Sequence, residues 1–200
     1  MSHDNAIKDL KAYTKVAAHD LSPADFVAAL KGESDRGAII LAATMIDDRL
    51  SIALRERMPD INSAEAARIF GVDGLAGTFA NRLKLAQALG IIDRGTRKLL
   101  ELIREMRNAC AHSRQIMTFS TPVIRAAFVS TMPDEAEGDV ITWPDQKARD
   151  IFCPLCGALC DAISGRDGVQ ELRSLHTMMQ YVRERVPQWP SHGISRTILD

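Results

Sequence analysis

The stretch from Asp35 to Met58 constrains this chain most. It places Ile39, Ile40, Ala43, Ile46, Leu50 and Leu54 at three- and four-residue spacings, the period of one buried face of an α-helix. It is the longest unbroken helical pattern in the chain, and Pro59 ends it. At 1.5 Å per residue such a helix is about 35 Å long. An apolar stripe of that length is hidden from water only by other helices laid against it. The chain must therefore supply those helices.

It does so in order along the sequence. A first helix is expected over residues 5–18. A second starts at Ser22-Pro23, with serine as N-cap, proline at the first helical position and Asp25 near the positive end, and Gly32 closes it. Asn62 with Glu65 reads as a capping box for a short helix ending at Gly71. Gly71, Gly74 and Gly77 punctuate a turn before a helix over 75–89, ended by Gly90. Asp93 caps the next helix, whose stripe of Leu99, Leu102, Ile103, Met106 and Cys110 makes it the natural partner of the long one. Thr121-Pro122 opens a short helix through Val129. Two last helices follow, over 145–163, bent or broken at Pro154, and over 169–186, stopped by Pro187.

No stretch alternates with period two over a strand's length, so the fold class is all-α, an up-and-down helical bundle with extra N- and C-terminal helices. The organisation expected is an extension over 1–34, a helical core over 35–130, an acidic loop over 131–143, helices completing the bundle over 144–187 and a tail over 188–200.

Composition narrows the class of function. With 46% hydrophobic and 26% charged residues the chain has material for a core, and its formal charge of -1 excludes a basic coat for nucleic acid. The distribution is uneven. From Arg82 to Arg114 eight Lys/Arg face three acids, a local +5 that leaves -6 for the remainder. Nothing approaches eighteen consecutive apolar residues, and MSHDNAIKDLK lacks a signal-peptide core, so a cytoplasmic protein with no membrane segment and reduced thiols is expected.

The basic region ends in Arg107, Asn108 and His112. Arginine offers a permanent forked charge and histidine a proton near neutral pH, a compact set for handling a phosphate. On an ideal helix Asn108 and His112 are about 40° apart, whereas Arg107 and His112 are about 140° apart. They converge only if the arginine wraps round, the helix end unwinds or a second subunit completes the site. In such a site His112 would be general acid or base toward a ribose 2'-hydroxyl, Arg107 would neutralise the phosphorane-like charge and Asn108 would orient its partner. The plainer account is a helix-terminal histidine at the negative end of the dipole and an arginine in a surface pair.

Other constellations read as scaffold. CPLCGALC spaces Cys153, Cys156 and Cys160 as C-x2-C and C-x3-C, too few ligands for zinc without His176 or the distant Cys110, so no metal is expected. GLAGTF lacks the Gly-Lys-Ser/Thr of a phosphate loop, and no cofactor is expected. Asp47 and Asp48 interrupt the long helix; they read as a solvated face, with the alternative that they meet the Arg107 region. Trp143 and Trp189 read as small anchors beside loops.

RNACAH resembles the R-x4-6-H signature of the HEPN superfamily. The span from Arg36 to Phe119, with AIILAATMIDDRLSIAL, GLAGTFANRLKLAQALGII, IREMRN and MTFS, is similar to the mannitol-repressor (MltR) family. The resemblance implies a helical bundle, dimeric, with paired R-x4-H ends near the subunit interface. It implies two functions. One is a HEPN-type RNA-directed protein, a metal-independent endoribonuclease of a toxin or defence system, with Arg107, Asn108 and His112 catalytic and Arg82, Lys84, Arg104 and Arg114 as candidate RNA contacts. The other is an MltR-like transcriptional regulator acting through protein contacts without catalysis. A third reading is a dimerisation module within a larger assembly. A homodimer, RNA and an antitoxin or regulatory protein are the partners these readings call for.

Overall fold

The computed structural model describes residues 22–130 and 145–164, with Asn5, Ile7, Lys8 and Glu184. Among the described residues it holds seven α-helices and no strand. They are α1 (Pro23–Gly32), α2 (Asp35–Glu56), α3 (Ser63–Phe70), α4 (Phe79–Ala88), α5 (Arg94–His112), α6 (Pro122–Val129) and α7 (Asp145–Ser164). The fold is an all-α helical bundle. The helices expected over 5–18 and 169–186, the loop over 131–143 and both tryptophans lie outside the described residues, apart from the four isolated positions named.

α2 is the axis, packed against α1, α4, α5 and, most extensively, α7. Ile39, Ile46, Leu50 and Leu54 on it are fully buried, and they meet Leu99, Leu100, Ile103 and Met106 of α5 in one core. On α5 the buried stripe takes in Leu100, while Leu102 is only half-buried. The two leucines lie roughly 80° to either side of the stripe's centre, so the spacing alone does not choose between them and the neighbouring helices do.

Helix starts follow their caps. Ser22 Oγ accepts from Asp25 N at 3.2 Å, Asp93 Oδ1 from Thr96 N at 2.7 Å and Thr78 Oγ1 from Asn81 N at 3.2 Å. The capping box is complete: Asn62 Oδ1 accepts from Glu65 N and Glu65 Oε2 accepts from Asn62 N, both at 3.0 Å. α4 begins at Phe79 rather than near Leu75. The backbone over 71–77 is spent on tight turns, with Gly74 N bonded to Gly71 O at 2.8 Å and Ala76 N to Ile69 O at 2.8 Å. A Cβ on Gly77 would lie 2.2 Å from Gly71 O, so the turn closes only with glycine there.

α7 runs unbroken through Pro154. Its buried face, including Ile151, Phe152, Leu155 and Leu159, outweighs the hydrogen bond that proline removes from a helix interior. Phe152 joins Phe119 and Phe128 in a tilted aromatic cluster, with centroids 5.2 to 6.2 Å apart. A Cβ on Gly157 would stand 2.8 Å from Val27 Cγ2, so this glycine lets α1 and α7 touch. Arg149 binds the ends together: its Nε donates to Asp35 Oδ1 at 3.0 Å and its Nη1 to Lys31 O at 3.2 Å, while Asp35 Oδ2 accepts from Phe119 N at 3.1 Å. No helix among the described residues is long and apolar enough to cross a membrane.

Candidate functional site

α2 and α5 run in opposite directions, and this decides which residues of the basic stretch meet. At one end Arg36 Nη2 donates to Ser113 O at 3.2 Å, so the C-terminus of α5 lies beside the first turn of α2. Further along α2, the middle of α5 and the first turn of α4 leave a cavity of about 290 Å³ between them. Ala43, Thr44 and Asp47 of α2 form one wall. Arg104, Arg107 and Asn108 of α5 form the second, and Thr78, Phe79 and Ala80 form the third.

Arg104, Arg107 and Asn108 stand at i, i+3 and i+4, the spacing that puts three side chains on one helix face. Arg107 Nη1 donates to Asn108 Oδ1 at 3.2 Å. Arg104 pairs with its neighbour Glu105, and its Nε is buried with no acceptor among the described residues. His112 does not line the cavity. It is the last residue of α5 and exposed, about 6 Å along the axis from Asn108 at 1.5 Å per residue. The cavity wall thus carries Arg104, Arg107 and Asn108 together, and His112 is not among its lining residues.

Of the other basic residues singled out, Lys84 and Arg114 are exposed and away from the cavity lining. Arg82 has a structural task. Its Nη1 lies 2.6 Å from Asp47 Oδ1, and its Nε donates to Ala76 O at 2.9 Å. It therefore holds α4, the glycine turn and α2 in register. Asp47 is not the solvated residue expected: its side chain is 23% exposed and forms part of the cavity wall. Burial raises its carboxyl above the ordinary 3.8, against the opposing pull of Arg82 and, more weakly, Arg107. Thr44, Thr78 and Phe79 were not legible as site residues, because nothing local marks them. They reach the cavity only through the packing of three helices.

The cysteines are core. Cys110, Cys153, Cys156 and Cys160 are all buried and free. Desolvation pushes the Cys153 thiol up to about 11 and those of Cys110, Cys156 and Cys160 upward as well. Among the described residues no group of three His, Cys, Asp or Glu is placed to hold a metal ion.

A chain of the MtlR–HPr complex from Escherichia coli, solved by X-ray crystallography, is similar in fold. The TM-score is 0.58 at 19% identity, covering 71% of this chain and 98% of that one. At that identity the likeness is one of fold. No protein-family model matches the chain, and no curated protein matches it in sequence.

Proposed function

We propose that this chain is a non-catalytic regulator of the mannitol-repressor-like kind, working in the cytoplasm through contact with another protein. The observation that carries the reading is the fold likeness to MtlR, which spans 98% of a chain solved together with HPr. Two features of the site support it. His112 is exposed and is not among the residues lining the cavity that holds Arg107, which favours a reading without an acid–base pair in that cavity. The local +5 is also partly spent inside the fold, with Arg82 committed to Asp47.

The homodimer implied by the family resemblance belongs to this proposal. Stable homodimers bury about 2,000 Å² or more in total, and the exposed Val72, Leu75, Ile116 and Val123 provide apolar surface toward that. Light scattering at micromolar concentration checks it: a mass of two chains is expected, and a 22.0 kDa monomer counts against it.

The test of the function is direct titration of the full chain with HPr from the same cells. Saturable heat at a fixed stoichiometry is expected, with a dissociation constant near or below about 10 µM. A flat titration, together with cleavage of mixed RNA by the chain in EDTA, would replace this reading with the ribonuclease one.

A further inference from the structure

A regulator that works only through its surface has no use for the cavity between α2, α4 and α5, yet its walls are chemically asymmetric. The α5 wall is cationic. Arg107 makes no salt bridge to a carboxylate among the described residues, its hydrogen bond going to neutral Asn108. Arg104 brings a second guanidinium, with a buried Nε lacking an acceptor. Glu105 pairs with Arg104, and Asp47 is held by Arg82 at 2.6 Å, so Arg107 is the guanidinium on this wall left without a carboxylate among the described residues. The positive end of α4, ten residues long, opens on the same space at Phe79 and Ala80.

The α2 wall accepts instead. Thr44 Oγ1 donates to Ile40 O at 2.9 Å, which leaves its lone pairs to receive a donor, and Asp47 adds carboxylate oxygens. Donors on one side and acceptors on the other suit a molecule with an anionic head and a hydroxyl-bearing body. Two forked guanidinia three residues apart match the oxygens of a phosphoryl group. At about 290 Å³ the space lies at the small end of ligand pockets.

We propose that this cavity binds a small hydroxylated phosphate monoester, its phosphoryl group on Arg104 and Arg107 and its hydroxyls toward Thr44 and Asp47. The site goes beyond the regulator reading: it needs no partner protein, and the full chain alone tests it.

The experiment is isothermal titration of the full chain with glycerol 3-phosphate, with inorganic phosphate and glycerol as the two halves of the probe. The phosphate ester is expected to saturate one site per chain, tighter than inorganic phosphate, with glycerol silent. Arg107→Gln should weaken binding by about tenfold or more, the loss of a charge-assisted pair. Should that variant misfold, Thr44→Phe fills the cavity from an exposed helix position and should abolish binding. Lys84→Ala, outside the cavity, should bind as wild type. Absence of saturation at about 10 mM, above the roughly millimolar affinity of the weakest specific ligands, overturns the site. So does unchanged binding in Thr44→Phe, or a short single-stranded RNA that displaces the ester at far lower concentration. Because HPr is absent throughout, failure here leaves the protein-contact reading standing, and the reverse also holds.

Discussion

Arg82 Nη1 sits 2.6 Å from Asp47 Oδ1, and this ion pair ties the first half of α4 to the middle of α2 across the rim of the cavity. Both side chains are mostly shielded, at 15% and 23% exposure, so neither charge is fully repaid by water if its partner goes. Arg82→Met should therefore destabilise the fold by about 1–3 kcal/mol, below the range for a fully buried pair because of the residual exposure. Adding Asp47→Asn should recover part of that loss. Urea denaturation of the two single variants and the double variant measures the coupling directly.

The same carboxyl sets a pH dependence. Its folded-state value is raised by burial, so the folded chain holds the Asp47 proton more tightly than the unfolded chain does. Its contribution to stability is fully present below the ordinary 3.8 and is lost as pH rises through the raised value. The stability of wild type relative to Asp47→Asn should accordingly fall as pH climbs from the ordinary 3.8 to the raised value, and level off above it. A difference that grows with pH would mean that Arg82 outweighs desolvation.

The four thiols should be silent in the folded protein. All four are buried, and desolvation holds each away from the thiolate that reacts. An aromatic disulfide reagent at pH 8 is expected to label none on the timescale of minutes and all four once denaturant is added. Fast labelling of any cysteine in native protein would place it in a region that opens locally.

What could be read from the chain, and what could not, divides along the range of the interactions. Ser22, Asn62–Glu65 and Asp93 announce their helices because a cap is satisfied within three residues. The long stripe of α2 announces the bundle because its period is a property of that helix alone. Asp47 reads as solvated in the sequence because its partner lies on α4, and nothing near it in sequence signals Arg82. The sequence pattern starts α4 early because Leu75 and Ala76 fit a helical period, while the backbone there is engaged by Ile69 and the glycine turn. Arg107–Asn108 with Arg104 was available as an i, i+3, i+4 face. The R-x4-H spacing points instead to His112, which is the last residue of α5 and does not line the cavity.

That displacement gives the last prediction. His112 is the last residue of α5 and is exposed, so it contributes little to the packing of the fold. His112→Ala should change stability by less than about 1 kcal/mol. If the chain regulates without catalysis, wild type and His112→Ala should both leave mixed RNA intact in EDTA, and both should bind glycerol 3-phosphate alike. Arg107→Lys separates the cavity from the helix end. It keeps the charge but loses the planar fork, so it should weaken the phosphate ester while leaving the RNA result unchanged. A catalytic pair would behave otherwise: wild type would produce fragments with cyclic-phosphate ends, and His112→Ala would lose a factor of about 10² to 10⁴ in rate. One way to that outcome is a second subunit that brings its histidine to each cavity. Mixing Arg107→Ala with His112→Ala would then restore activity that neither variant shows alone, and the non-catalytic regulator would be ruled out.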